Sequence, residues 1–435
     1  MSPLLCAVRG STATLTPRDR AILFDRATSS DDAIRGRTAA IITQVRRDGD
    51  AALHALALTL DGVRLETLEV PRADWDAALS TIDPALRRAM ERALTNIAAV
   101  HAAFMPVATE VSTRDGAVIG RRPDPLARVG VYAPGGRAAY PSSVLMGAVP
   151  ARVAGVTEVI LCSPPGADGR PSAVVLAAAA LAGVDRVFAL GGAGAIAALA
   201  YGTESVPAVD RIVGPGNAYV AEAKVQVSSR VAIDSPAGPS ELLVLADASA
   251  NARVVAHEML AQAEHDPLAA VVLVTTSAEL ATAVEGELSW LVDDAPRAAI
   301  VRAALAARGA LLVAPSLDEA ITFSNAWAPE HLSLMVGAAV EAGTLARLRN
   351  AGTIFVGASA SVAYGDYMSG ANHVLPTGGA ARSYSGLSTL DFVRWTTYQR
   401  IPPEAARALA EDAGRFADAE GLPGHAAAAR QWSTA

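Results

Sequence analysis

Two successive series of short apolar runs, each closed by Gly, Pro, Ser or Asp and separated by alanine-rich stretches, restrict this chain to alternating strands and helices. The first series occupies residues 129–133, 159–162, 187–190 and 211–213, and the second 242–245, 271–274, 311–313 and 354–356. Runs this short match strands, and the intervening stretches are long enough for crossover helices, so the strands of each series should lie parallel. The fold expected is α/β, with two tandem Rossmann-like α/β domains and mostly parallel sheets. Residues 31–60 and 72–105 carry helical spacing, as in Trp75, Leu79, Ile82, Leu86, Met90, Leu94 and Ile97. A helical tail with Ala406, Leu409, Ala413 and Phe416 breaks at 421–424, which predicts His425 at a turn and not within a helix. The expected divisions are a mainly helical segment 1–125, α/β domains at 126–240 and 241–375, and a tail 376–435.

A formal charge of -8 and a pI near 5.5 leave no basic surface to neutralise phosphates, so no nucleic-acid partner is expected and small molecules are favoured. Cys6 and Cys162, the two cysteines, stand far apart and outside metal-type spacing, which argues against a disulfide framework and thiolate zinc and suits a reducing cytoplasm. The N-terminus lacks the pattern of a secretory signal. The most apolar tract, 174–200, is interrupted by Asp185-Arg186 and Gly191-Gly192, so no membrane segment is expected. Arginine is abundant and lysine nearly absent, Lys224 being the exception, which reads as a compositional habit and not a site.

Four of the seven histidines fall in polar clusters of the second half: Gln262 with His265, Glu330 with His331, Asp366 leading to His373, and Glu420 leading to His425. Gln262 and His265, three apart on a helix, share a face and can share an ion, although a solvated Gln and a His favoured by the helix C-terminus explain the pair alone. Asp366 follows Gly365 in a Gly/Ser-rich loop, 357–370, where an isolated Asp by default makes an Asx-turn. Gln, Asp and two His suit zinc or a neighbouring divalent ion, and the lack of thiolates disfavours a purely structural site. Glu330 and His331 follow Pro329 and precede a strand-like 332–336; strand neighbours point to opposite faces, so a shared role requires irregular backbone there. His is the natural base near neutral pH and a carboxylate its companion, with a surface Glu and a strand-edge His as the even alternative. Glycine-rich turns at 132–136, 191–194 and 214–217 supply candidate cofactor sites at strand ends, although ordinary βα turns look similar. The stretch 192–197 matches GxGxxA without the acidic strand end that should follow. His54, His101 and His257 stand singly on helical stretches and are assigned no chemistry.

Tyr132-Ala-Pro-Gly-Gly, the stretches 214–220, 237–241, 262–265 and 328–331, Gly365-Asp366 through Pro376, and Glu420 through His425 together closely resemble the histidinol dehydrogenase family, in family order from about residue 10 to about residue 428. The resemblance implies oxidation of L-histidinol to L-histidine in two NAD-dependent steps through histidinaldehyde, the last reactions of histidine biosynthesis. It implies Gln262, His265, Asp366 and His425 as zinc ligands, the zinc orienting the substrate. His331 would take the alcohol proton as hydride leaves for NAD, and Glu330 would activate water on the aldehyde. Ser240, His373 and Glu420 match substrate-contacting positions, alongside Gln262, His265, His331, Asp366 and His425. Tyr132 and Asn217 match NAD-contacting positions, whereas Gly194 stands where the family usually has glutamine, so a weaker or rearranged contact is expected there. Asp266 replaces a frequent Gly, a minor departure. The family also implies a domain-swapped homodimer, with Glu420 and His425 crossing to the partner. The alternatives are a same-scaffold dehydrogenase of another small polar alcohol, such as a sulfonated diol, a zinc-dependent hydrolase using Glu330, and a non-catalytic metal-binding protein. The His373, Glu420 and His425 set disfavours the first, the absence of HExxH the second, and Glu330-His331 the third.

Overall fold

The computed structural model describes residues 5–26, 32–135 and 139–433; Gly136 of the first glycine-rich turn lies outside the described residues. The chain opens with β1 (Val8–Ser11), α1 (Pro17–Phe24), α2 (Asp32–Leu56), α3 (Arg72–Thr81), α4 (Pro84–Ala103), β2 (Thr109–Ser112) and β3 (Val118–Pro125). Local signals start these helices. Thr16 and Asp19 close a capping box at α1, and the Asp83 side chain accepts from Ala85 N–H at the head of α4, with proline in the first turn of both.

The first alternating series runs β4 (Arg128–Tyr132), α5 (Pro141–Ala154), β5 (Glu158–Ser163), α6 (Ala173–Leu181), β6 (Arg186–Ala189), α7 (Gly192–Tyr201), β7 (Arg211–Val213), α8 (Ala218–Val227) and β8 (Ala232–Ile233). The second runs β9 (Glu241–Ala246), α9 (Ala252–Ala263), β10 (Ala270–Thr275), α10 (Ala278–Asp294), α11 (Ala298–Arg308), β11 (Gly309–Val313), α12 (Leu317–Trp327), β12 (His331–Met335), α13 (Ala338–Leu345), β13 (Thr353–Val356) and α14 (Val362–Tyr367). β14 (Val393–Arg400), α15 (Pro403–Ala419) and α16 (Pro423–Arg430) complete it.

Each series forms a parallel sheet, in the orders β6-β5-β4-β7-β8 and β1-β11-β10-β9-β12-β13. The expected α/β class and parallel sheets are what the structure has. Helices cover both faces, so β9 and β10 are buried along their whole length, which is why they read as unbroken apolar runs. In the first sheet the order reverses between β4 and β7, and in the second between β9 and β12. Such switch points open a crevice at the strand ends.

Several local expectations change. β1, from the N-terminal segment, pairs with β11 at the edge of the second sheet, and β14, β3 and β2 form a small antiparallel sheet. Asp366 lies in the short helix α14, within a stretch expected to be loop. His425 lies in the first turn of α16 and not at a turn, because Pro423 fits the start of a helix, where no N–H is needed. Both cysteines are buried and unpaired. Among the described residues no helix is long and apolar enough to cross a membrane.

Candidate active site

Glu330 and His331 are brought together by a strained turn. Helix α12 ends at Ala328, which adopts φ 54 and ψ 69, the left-handed region that costs a residue with a Cβ about 1–2 kcal/mol. Pro329 follows, and β12 begins at His331. The irregular backbone required for a shared role is present, and Glu330 Oε2 lies 3.4 Å from His331 Nδ1.

One residue of the neighbouring strand holds both. The Glu241 N–H donates to Glu330 Oε2 at 2.7 Å, and the Glu241 carbonyl oxygen lies 3.0 Å from His331 Nδ1. With Nδ1–H donating to that carbonyl, Nε2 is the nitrogen left to accept a proton. Glu241 is itself clamped, its side chain paired with Arg26 at 2.6 Å and accepting from Gly378 N–H at 2.8 Å. The Arg26 guanidinium stacks 3.7 Å from the Trp327 ring centroid and donates to the Trp327 carbonyl. Burial pushes Glu241 up to about 7, against the pull of Arg26.

On the other side, His331 Nε2 lies 3.5 Å from Asp366 Oδ1. Asp366 is positioned through Gly365, where any side chain would collide with Phe355; the Phe355 ring in turn packs 5.9 Å from that of His331. Burial alone would lower the pKa of His331, but the carboxylates of Glu330 and Asp366 outweigh it and push it up to about 10. Burial raises Asp366, while His331, His373 and His265 outweigh that and hold its carboxyl below the ordinary range. His373 bridges Asp366 and α5, with Nδ1 3.1 Å from the Asp366 carbonyl and Nε2 3.2 Å from Ser143 Oγ. Its burial lowers its pKa more than Asp366 raises it.

Helix α9 brings the amide. Glu258 accepts from Val362 N–H at 2.9 Å, and one turn further along each helix stand Gln262 and Asp366. Gln262 is buried, and its Nε2 has no partner among the described residues. His265, just beyond the end of α9, is exposed and near enough to act on the Asp366 charge. Ser240 stands immediately before β9, half-buried. Glu420 and His425 are exposed, on the mutually packed α15–α16 pair. Among the described residues no group of three or more His, Cys, Asp or Glu is close enough to hold a metal. The Gln262, His265 and Asp366 set therefore has two such donors and one amide.

The candidate dinucleotide positions gather at the first switch point. Tyr132, the last residue of β4, is buried, its hydroxyl accepting from Gly192 N–H at 3.1 Å. Asn217 is exposed and caps α8, accepting from Tyr219 and Val220 N–H groups. Gly194 lies in the first turn of α7, where a Cβ would point at α2, 3.1 Å from Leu56 Cδ1 and 3.7 Å from Leu53 Cδ2. Sequence reasoning missed Arg26, Trp327, Ser143 and Glu258. Glu241 lies inside the motif 237–241, but nothing in a sequence marks that its main chain serves the site.

A family model described as histidinol dehydrogenase matches residues 24–432. The histidinol dehydrogenase of Methanosarcina mazei is 49% identical over 388 residues, covering 89% of each chain. That of Halobacterium salinarum is 47% identical, covering 95% of this chain and 96% of its own. The crystal structure of histidinol dehydrogenase from Elizabethkingia anophelis superposes with a TM-score of 0.94 at 31% identity, covering 100% of this chain and 99% of that one.

Proposed function

The chain belongs to the histidinol dehydrogenase family and is an oxidoreductase, and from that premise we propose that it oxidises L-histidinol to L-histidine through histidinaldehyde, passing two hydrides in turn to NAD. The observation that carries this reading is the hold of one residue, Glu241, on both Glu330 and His331. Alcohol oxidation needs a base for the hydroxyl proton as hydride departs, and oxidation of the aldehyde needs a carboxylate that activates water. His331 takes the first role through Nε2. Its flanking carboxylates favour the imidazolium that forms, and its readiness as a base in the resting state requires Asp366 to be engaged elsewhere, as ligation would do. Glu330, held through Oε2 by the Glu241 N–H, takes the second role.

A buried amide without a partner, a carboxylate held ionised and an imidazole fit a divalent cation of zinc type, without thiolates. Gln262, His265 and Asp366 would hold it, with His425 supplied by a second copy of the chain. When bound, zinc fixes the imidazole and amine of the substrate. Ser240 and His373 would line the substrate's space and Glu420 would arrive with His425; the exposed Phe416 and Leu422 of the tail support a homodimer in which that segment crosses over. Tyr132 and Asn217 at the switch point would take NAD, which agrees with where open α/β sheets accept dinucleotides. Position 194 would contribute no side chain. Two buried, unpaired cysteines accord with a cytoplasmic setting.

The test is stoichiometric. Purified protein with L-histidinol and excess NAD should release two NADH per histidinol, with chelation stopping the reaction and zinc restoring it. Zinc-loaded protein that forms no NADH from L-histidinol, or one that reduces NAD only with another alcohol, overturns the proposal.

A further inference from the structure

Of the 36 lysines and arginines in the chain, Lys224 is the only lysine. It is buried in α8, 2% exposed. Its ammonium pairs with Asp234, also buried, and donates to the Gly214 carbonyl at 3.1 Å. The Gly214 N–H donates to the other Asp234 oxygen at 2.8 Å. Both polar groups of Gly214 are therefore tied to the two members of one buried ion pair.

Gly214 is where such a tie matters. It follows β7 with φ +115, and any side chain there would collide with the Tyr132 carbonyl oxygen, so the loop lies directly against the end of β4. An arginine would bring a wide planar group whose donors fan out, whereas an ammonium is compact and can serve a carboxylate and a carbonyl at one point. A chain that uses arginine for every other basic cation keeps an ammonium at this buried position.

We propose that Lys224 is a positioning residue for the dinucleotide: with Asp234 it locks Gly214 against Tyr132, so that Tyr132 and Asn217, on the two sides of the β4–β7 switch, meet the cofactor at one fixed spacing. The inference rests on the NAD reading above. Lys224 does not reach the cofactor; it acts through residues 214–217.

Two full-length variants test it. Lys224→Arg keeps the charge and changes the shape, and Lys224→Met/Asp234→Asn removes both charges together, which spares the fold a stranded one. NADH affinity is read by fluorescence titration, alongside KM for NAD, KM for L-histidinol and the thermal midpoint. Both variants should bind NADH about tenfold more weakly and raise KM for NAD in step, with KM for L-histidinol within about twofold of the parent. Folded variants that keep parental NADH affinity, or that lose affinity for both substrates equally, overturn the role of Lys224 while leaving the NAD reading intact. A parent that itself binds no NADH overturns the NAD reading, and this proposal falls with it.

Discussion

Neutralising Glu241 should damage the protein more than removing its partner Arg26, although the two form one ion pair. Both side chains are 3% exposed. Breaking a buried pair from one side strands a charge at a cost of about 3–5 kcal/mol. The two strandings differ because a carboxyl can take up a proton and a guanidinium cannot shed one. Burial already pushes Glu241 up to about 7, so in Arg26→Met it protonates across the neutral range and the loss falls near the lower limit, about 3 kcal/mol. In Glu241→Gln the guanidinium keeps its full charge, with the Trp327 ring and carbonyl beside it, and above pH 7, where the parent's carboxylate is ionised, the loss approaches about 5 kcal/mol. At about 2.1 cal/mol/K per residue over 435 residues, these losses lower Tm by roughly 3 and 5 °C. The gap should narrow as pH rises. A folded-state pKa raised above the ordinary 4.5 means that the protonated form stabilises the fold at low pH, a contribution lost as pH climbs through about 7 and beyond in Arg26→Met. The double variant Arg26→Met/Glu241→Gln strands nothing and should recover most of the loss. Because the Arg26 pair anchors the main chain that holds Glu330 and His331, Glu241→Gln should also lower kcat by about a hundredfold, the effect of displacing reacting groups by about 1 Å. Denaturant unfolding from pH 6 to 9 with steady-state kinetics checks all of this. Arg26→Met proving as destabilising as Glu241→Gln at pH 8, where the parent's Glu241 is ionised, or losses that simply add in the double variant, would refute the reasoning.

Burial pushes His101 down to about 4 from its ordinary 6.5, and neither ring nitrogen has a partner among the described residues. The unfolded chain therefore binds a proton that the folded one refuses, and stability present above pH 6.5 should drain away between 6.5 and about 4. His101→Leu should flatten that part of the pH-stability curve, and an unchanged slope would sink the argument. Gly194→Gln, which restores the residue usual in the family, should lose about 1–3 kcal/mol by crowding Leu56 and should not tighten NADH binding; tighter binding at unchanged stability would contradict it. Co-expressed His265→Ala and His425→Ala chains should form hybrids with one intact site, and activity no greater than either variant alone would count against tail exchange.

What was legible in the sequence follows from burial. Strands covered on both faces leave apolar runs, and all four runs of each series lie on strands. β1 keeps only Val8 buried and β2 nothing, so neither leaves a pattern. At the site, the pairing of Glu330 with His331 was readable, whereas the turn that unites them was not, because Ala328 in a left-handed conformation looks like any alanine. Arg26 reaches Glu241 through tertiary packing alone, and no spacing announces it. The isolation of Lys224 was visible, but only its burial separates a requirement from a habit.

The chain path also explains why the candidate residues occupy opposite ends of the two sheets. Tyr132 and Gly214 stand at the carboxyl ends of β4 and β7, as the rule for open sheets expects, whereas Ser240, Glu241 and His331 stand at the amino ends of β9 and β12. The chain leaves the carboxyl end of β8 at Ile233 and enters the amino end of β9 at Glu241, with residues 234–240 between. Those residues span at most about 25 Å when fully extended, so the carboxyl edge of the first sheet and the amino edge of the second are held near one another. His373 and Asn372 narrow the gap further, with Ser143 Oγ and the Met146 carbonyl of α5 at 3.2 and 2.8 Å. A hydride acceptor seated by the usual rule on the first sheet can meet its donor only if the second sheet offers its amino ends. That placement requires backbone held outside regular strand geometry at Ala328, and it leaves the Glu241 main chain, at the first residue of β9, facing Glu330 and His331. Lengthening the 234–240 link with flexible residues should therefore reduce hydride transfer while leaving each sheet folded. Undiminished turnover after such an insertion would show that something other than this short connection aligns the two edges.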